Sequence, residues 1–179
     1  MKTHNIKIRG VKSDDIHLVQ QIGKKTFKET FEASNSTENM QEYLDSSFSI
    51  SKLETELSDH NSAFYFALTD EKVVGYLKVN WGESQTENSD KNALEIERIY
   101  VLKEFHGKKV GQVLYEKAIE ISVQKGVEFI WLGVWEENPR AIHFYKKNAF
   151  TEFDKHVFQL GDDKQIDIMM KRPITVVRQ

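Results

Sequence analysis

Cysteine is absent from the 179 residues, which excludes disulfides, thiolate zinc sites and cysteine nucleophiles and leaves any chemistry to other side chains. No run of roughly 18 or more apolar residues occurs, and the opening "MKTHNIKIRG" has no apolar stretch of signal-peptide kind. A soluble, cytoplasmic protein without a membrane partner is expected. Charge of one sign is also lacking: 28 acidic against 25 basic side chains leave a formal −3, so nothing general attracts nucleic acid, and any anionic ligand must be captured locally. The six histidines show no H-x-x-x-H spacing or cluster, so no metal is expected. Neither an internal repeat nor a composition break divides the chain, and a single domain over residues 1–179 is expected.

What is present reads first as a strand, "NIKIRGV", followed by Ser13 or Asp14 as the cap of a helix with Leu18, Val19, Ile22, Thr26, Phe27 and Phe31 at helical spacing. "NSTENMQEYLDSSF" predicts a second helix capped by Ser36 or Thr37, and "SKLETELSD" a third, shorter one. "SAFYFALTDEKVVGYLKVNWG" reads as an antiparallel hairpin turning at 70–72, and the polar stretch "ESQTENSDKN" as a loop prone to local disorder. From "ALEIERIYVL" onward the pattern is strand, glycine turn, helix to about 126, strand "EFIWLGV", helix over 139–147 and two strands ending near 171. Val110, Val113, Leu114, Ala118 and Ile121 form one stripe, so the helix after the turn should cross over to a parallel neighbour, "FIWLGV".

The turn itself holds Gly107, Lys108, Lys109 and Gly111 at the start of that helix. Unpaired amides and the positive end of a helix favour phosphate there, and glycines let backbone approach it closely; the alternative is an ordinary loop with solvated lysines. Neither G-x-x-x-x-G-K-[ST] nor G-x-G-x-x-G is present. The segment His106-Gly107-Lys108-Lys109-Val110-Gly111 resembles the acyl-CoA signature [Q/R]-x-x-G-x-[G/A] of the GNAT superfamily of N-acetyltransferases, with His106 in place of Gln or Arg and Lys109 at the first motif glycine. "NPRAIHFYKKNAF" resembles that family's N-x-x-A-x-x-[FL]-Y-x-[KR]-x-G-F segment through Asn138, Ala141, Phe144, Tyr145, Lys147 and Phe150, with Ala149 at the glycine. Over residues 6 to about 173 the chain is similar to bacterial PaiA-type polyamine N-acetyltransferases, through "TFKETFEASNSTENMQEYLDSSF", "LEIERIYV", "IWLGVWEENPRAIHFYKK" and "DIMM".

The resemblance implies a mixed α/β (α+β) GNAT fold, a central sheet of about seven strands flanked by helices and splayed between the fourth and fifth, with acetyl-CoA as cosubstrate in the splay. It implies that main-chain groups around Ile99, Tyr100 and Val101 pair with the pantetheine, that the pyrophosphate rests on His106, Gly107, Lys108, Lys109, Val110, Gly111 and Gln112, and that Asn138, Ala141, Tyr145 and Lys147 complete the cofactor site. Tyr145 would protonate the departing thiolate, against the alternative of a core tyrosine on the stripe of Ala141 and Phe144. A main-chain N–H of "RIYV" would meet the developing oxyanion. Period-two counting places Glu95 and Glu97 on the face of Ile99. Glu97 could take the ammonium proton, and Glu95 could bind a cation farther out; the alternative is a pair of carboxylates salt-bridged to Arg98 or Lys78. Trp135, at a strand end, could wall the substrate pocket or simply pack. The implied substrate is a small-molecule amine, most readily spermidine or spermine, with homodimer formation open. The rival readings are an acetyltransferase for amino acids, peptide N-termini or aminoglycosides, and a silent CoA-binding regulatory module.

Overall fold

The computed structural model describes residues 5–87 and 90–175. Among these, seven strands form one sheet in the order β1-β2-β3-β4-β5-β7-β6, from β1 (Lys7–Gly10), β2 (Ser62–Thr69), β3 (Lys72–Trp81), β4 (Ala93–Val101), β5 (Phe129–Trp135), β6 (Thr151–Leu160) and β7 (Asp163–Pro173). Every neighbouring pair is antiparallel except β4 and β5. Helices α1 (Ile16–Phe31), α2 (Thr37–Ser47) and α3 (Ile50–Ser58) cover one face, and α4 (Val110–Lys125) and α5 (Pro139–Lys147) the other. The mixed sheet with its helical layers is the architecture the resemblance implies.

Local chemistry accounts for most element ends. The β2–β3 turn consists of Asp70 and Glu71, both at positive φ (47° and 61°), the two-residue geometry that matches strand twist. Ser36 and Ser49 cap α2 and α3 by accepting the amides of Asn39 and Lys52. At the first helix the cap is not Ser13 or Asp14. A short 3₁₀ turn over Ser13–Asp15 precedes α1, and the Asp15 carboxylate accepts the Lys12 amide at 2.9 Å while pairing with Arg9. α1 buries Val19, Ile22, Thr26, Phe27 and Phe31, and Gly23 lies against the Phe48 ring, where a methyl group would overlap it.

Two further expectations are corrected. The polar stretch after β3 is docked rather than loose: Gln85 donates to the carbonyls of Gly82 and Asp90 and accepts the Trp131 indole N–H at 2.7 Å. Hydrogen bonding of this kind orders polar sequence that composition alone would leave free; Asn88 and Ser89, within the same expectation, lie outside the described residues. The last strand runs to Pro173, past the expected 171, because its end still pairs with Phe129.

The crossover from β4 through α4 to β5 gives the one parallel pairing, and it is short. Ala93, Leu94 and Glu95 pair with Phe129, Ile130 and Trp131, after which the strands diverge, each running on to its own end. The sheet therefore opens into a cleft between the outer halves of β4 and β5.

Candidate active site

The cleft encloses about 1110 Å³, the scale of a small-molecule site. One wall is the free edge of β4. The Leu102 amide donates to Val74 at 2.9 Å, so by strand alternation the main-chain groups of Ile99 and Val101 point away from β3 and into the cleft. His106 Nε2 donates to the Val101 carbonyl at 2.8 Å, and burial holds its pKa below the ordinary histidine value. It pins the turn onto the strand end.

The turn leads into α4 in the form an anion needs. Among the described residues, the amides of Gly107, Lys109, Val110, Gly111 and Gln112 meet no protein acceptor, while those of Lys108 and Val113 do. Gly107 (φ 76°) and Lys109 (φ 66°) are both left-handed. Lys109 thus adopts the backbone that glycine takes freely, at a cost of about 1–2 kcal/mol. A side chain at Gly111 would meet only Val101, at 3.9 Å, so the approach over that residue is open. Lys109 lines the cleft, as do Arg140 and Lys147. Lys108 does not; its ammonium sits 4.7 Å from the Phe105 ring centroid.

From the other side comes α5, started by Asn138 and Pro139. Asn138 Oδ1 accepts the Ala141 amide at 3.1 Å, and Asn138 lines the cleft. Ala141 and Tyr145 also line the cleft, and Tyr145 is only 7% exposed, with its ring against Phe144 and Phe150. Burial pushes its hydroxyl pKa well up, so it carries its proton at any working pH. At the mouth, Gln112 and Asn148 exchange amide hydrogen bonds of 3.3 and 3.4 Å, clasping α4 to α5.

The acidic pair on β4 differs from the period-two expectation. The β3–β4 register shifts between Lys78 and Val79, so that Lys78 faces Arg98 while Val79 faces Ile96, and Glu97 is the extra residue of a bulge. The bulge reverses the alternation: Ile96 and Ile99 pack on the α4 side, while Glu95, Glu97 and Tyr100 turn toward α1–α3. Glu95 is buried, and its oxygens are taken by Asn80 at 3.0 Å and by the Thr86 amide and hydroxyl. Glu97 pairs with Lys78 at 2.5 Å and with Arg98 at 3.2 Å, and Glu56 of α3 joins both cations, binding Arg98 through two bonds of 2.9 and 3.0 Å. Burial raises the Glu97 pKa, but Arg98 and Lys78 outweigh it and leave the carboxyl below its ordinary range. The salt-bridged alternative for Glu97 is the arrangement observed.

The same cleft continues to the α1–α3 side of the sheet. Tyr43, Phe31, Tyr100, Trp135 and Phe158 line it, with Trp135 packed on Phe31 at 5.5 Å and Phe158 on Tyr43 at 5.6 Å. Asp167 of β7 is directly opposite Trp135 on one side and His156 on the other, and its carboxylate comes within 3.3 Å of where a side chain on Gly133 would begin. Burial raises its pKa to about 6, partly countered by His156. Sequence reasoning passed over Asp167, although a lone acid inside "QIDIMM" was the signal that could have found it. Nothing in the sequence sets Tyr43 and Phe158 side by side; the sheet order brings them together.

A family model described as "Acetyltransferase (GNAT) family" matches residues 24–150. An uncharacterized N-acetyltransferase of Lactobacillus delbrueckii subsp. lactis is 40% identical over 94% of this chain and 98% of its own length. The spermidine N(1)-acetyltransferase of Thermoplasma acidophilum is 25% identical over 84% of this chain and 91% of its own. The crystal structure of the PaiA N-acetyltransferase of Thermoplasma acidophilum in complex with coenzyme A superposes with a TM-score of 0.77 at 24% identity, covering 94% of this chain and 99% of that one; this establishes a shared fold.

Proposed function

Since the chain belongs to the GNAT acetyltransferase family and is thereby an acyltransferase, we propose that it transfers the acetyl group of acetyl-CoA to a terminal amine of a polyamine such as spermidine or spermine. The observation that carries the acceptor class is the placement of charge along one cleft: Lys109, Arg140 and Lys147 with the open amides of α4 at one end, and at the other Asp167 with an aromatic wall, where the charge of Arg98 is already met by Glu56 and Glu97. The first end suits a pyrophosphate. The second suits a flexible cation, whose methylenes lie on aromatic faces while a carboxylate meets its charge. Similarity to a spermidine N(1)-acetyltransferase supports the same reading.

Acetyl-CoA supplies the thioester carbonyl that the amine attacks and the thiolate that leaves. The free edge of β4 at Ile99 and Val101 would hold the pantetheine arm as an added strand, with the Asn138 amide nitrogen gripping it from α5. The cleft-facing main-chain N–H groups of β4 would donate to the oxyanion as it forms. Tyr145, buried and protonated, would give its proton to the departing sulfur. Glu97 is committed to Lys78 and Arg98; its role in this proposal is to hold the bulge that directs Tyr100 and the β4 edge. The amine, bound as ammonium, reacts as free base after losing one proton to cleft solvent, and the second proton that its nitrogen sheds after attack goes to the same solvent, which returns one to Tyr145. Because a primary alkylamine resembles lysine, with a pKa of about 10.4, the rate at fixed total amine should climb as pH rises above neutral.

Steady-state kinetics with polyamines, amino acids and N-terminal peptides test the acceptor. The proposal expects a polyamine to have the highest kcat/KM; a peptide or amino acid preferred by orders of magnitude removes the polyamine assignment and leaves the acetyltransferase intact.

A further inference from the structure

The geometry points to Asp167 as the residue that receives the acceptor's ammonium group and sets the preference for cationic alkylamines over acceptors bearing their own carboxylate. This rests on the amine-acetyltransferase reading above. Asp167 is the middle of a cross-strand row, His156–Asp167–Trp135, in which opposed residues share one face of the sheet. All three line the cleft. Gly133, diagonal to Asp167 on β5, is exposed in mid-strand and carries no side chain to cover the carboxylate. Among the described residues, no donor lies within hydrogen-bond or ion-pair distance of Asp167, in contrast to Glu95 and Glu97, whose oxygens are all engaged.

Among the described residues none forms an ion pair with that charge, and His156 offsets it only in part. His156 is itself paired with Glu87 at 3.2 Å; Arg98, which also lines the cleft, is bound by Glu56 and Glu97, and the phenols of Tyr43 and Tyr100 line it as well. Tyr100 is pushed up by burial first and then by several neighbours, Asp167 and Tyr145 among them, which places its ring within electrostatic range of both groups. A carboxylate half-buried among aromatic rings without a cation favours binding one. The same group repels an incoming α-carboxylate, so it discriminates as well as attracts.

The test compares the wild-type protein with Asp167→Asn and Asp167→Glu. With spermidine at saturating acetyl-CoA, Asp167→Asn should raise the spermidine KM about 10- to 100-fold, leave the acetyl-CoA KM within about twofold, and narrow the preference for spermidine over amino acids; Asp167→Glu should recover part of the loss. An unchanged spermidine KM in folded Asp167→Asn overturns the assignment. If the wild-type protein acetylates another amine and ignores spermidine, the polyamine reading falls, and the same KM comparison with that amine decides the role of Asp167. If no amine reacts, the melting-temperature shift on adding spermidine decides it: stabilisation of wild type that Asp167→Asn lacks supports the site, and equal shifts or none overturn it.

Discussion

Tyr145, buried, and Asp167, half-buried, are ionisable groups of one cleft, and desolvation raises the pKa of each with opposite consequences. For Tyr145 it secures the proton. Tyr145→Phe should lower kcat about 100-fold or more with little change in acetyl-CoA affinity, because only protonation of the leaving group is removed; single-turnover rates with bound acetyl-CoA check this, and unaltered turnover returns Tyr145 to the core. For Asp167 burial costs stability. A carboxyl whose folded pKa is about 6, above its ordinary 3.8, binds its proton more tightly when folded, so stability is fully present below the ordinary value and falls as pH rises through 6. Asp167→Asn should therefore stabilise the protein by about 2 kcal/mol at pH 7, after discounting for solvent screening, or roughly 4–8 °C in melting temperature. The gain should vanish near pH 4; a loss of stability at pH 7 would show that the carboxylate is satisfied in the fold.

Two elements carry the rest of the site, the start of α4 and the bulged β4. At α4, Gly111→Asp places a negative side chain where a pyrophosphate would rest, in space that is otherwise open. CoA affinity should fall by about tenfold or more while the helix persists, since an acid in the first turn suits its dipole; titration calorimetry reads the affinity, and no change in a folded variant removes the phosphate cradle. At β4 the buried ion pairs tie α3 to the bulge. Glu56→Gln leaves Lys78 and Arg98 facing one carboxylate and should cost about 3–5 kcal/mol, seen in urea unfolding; a cost under about 1 kcal/mol would mean solvent already screens the network. The α4 turn was legible because its glycines and lysines sit at a strand–helix junction with a motif's spacing. The bulge was not: an inserted residue leaves no mark on an alternating pattern, so Glu95 and Glu97 were assigned to the face of Ile99, which the shifted register reverses.

Across the whole molecule, element types and their order could be read from periodicity, caps and turns, and the resemblance supplied the sheet and its splay. What stayed hidden depends on neighbours distant in sequence. Tyr43 of α2 meets Phe158 of β6, and Trp131 orders a loop through Gln85; no local pattern encodes either contact. Asp167 reaches the cleft only because β7 inserts between β5 and β6. The central claim is that one cleft joins a CoA-binding end to an amine-binding end and transfers acetyl between them. The most direct measurement is amine-dependent release of CoA thiol from acetyl-CoA by the purified protein, with mass spectrometry of the product. The account predicts thiol release that requires the amine, is fastest with a polyamine, and yields an amine one acetyl group heavier. Tight CoA binding with no thiol release for any amine would contradict it.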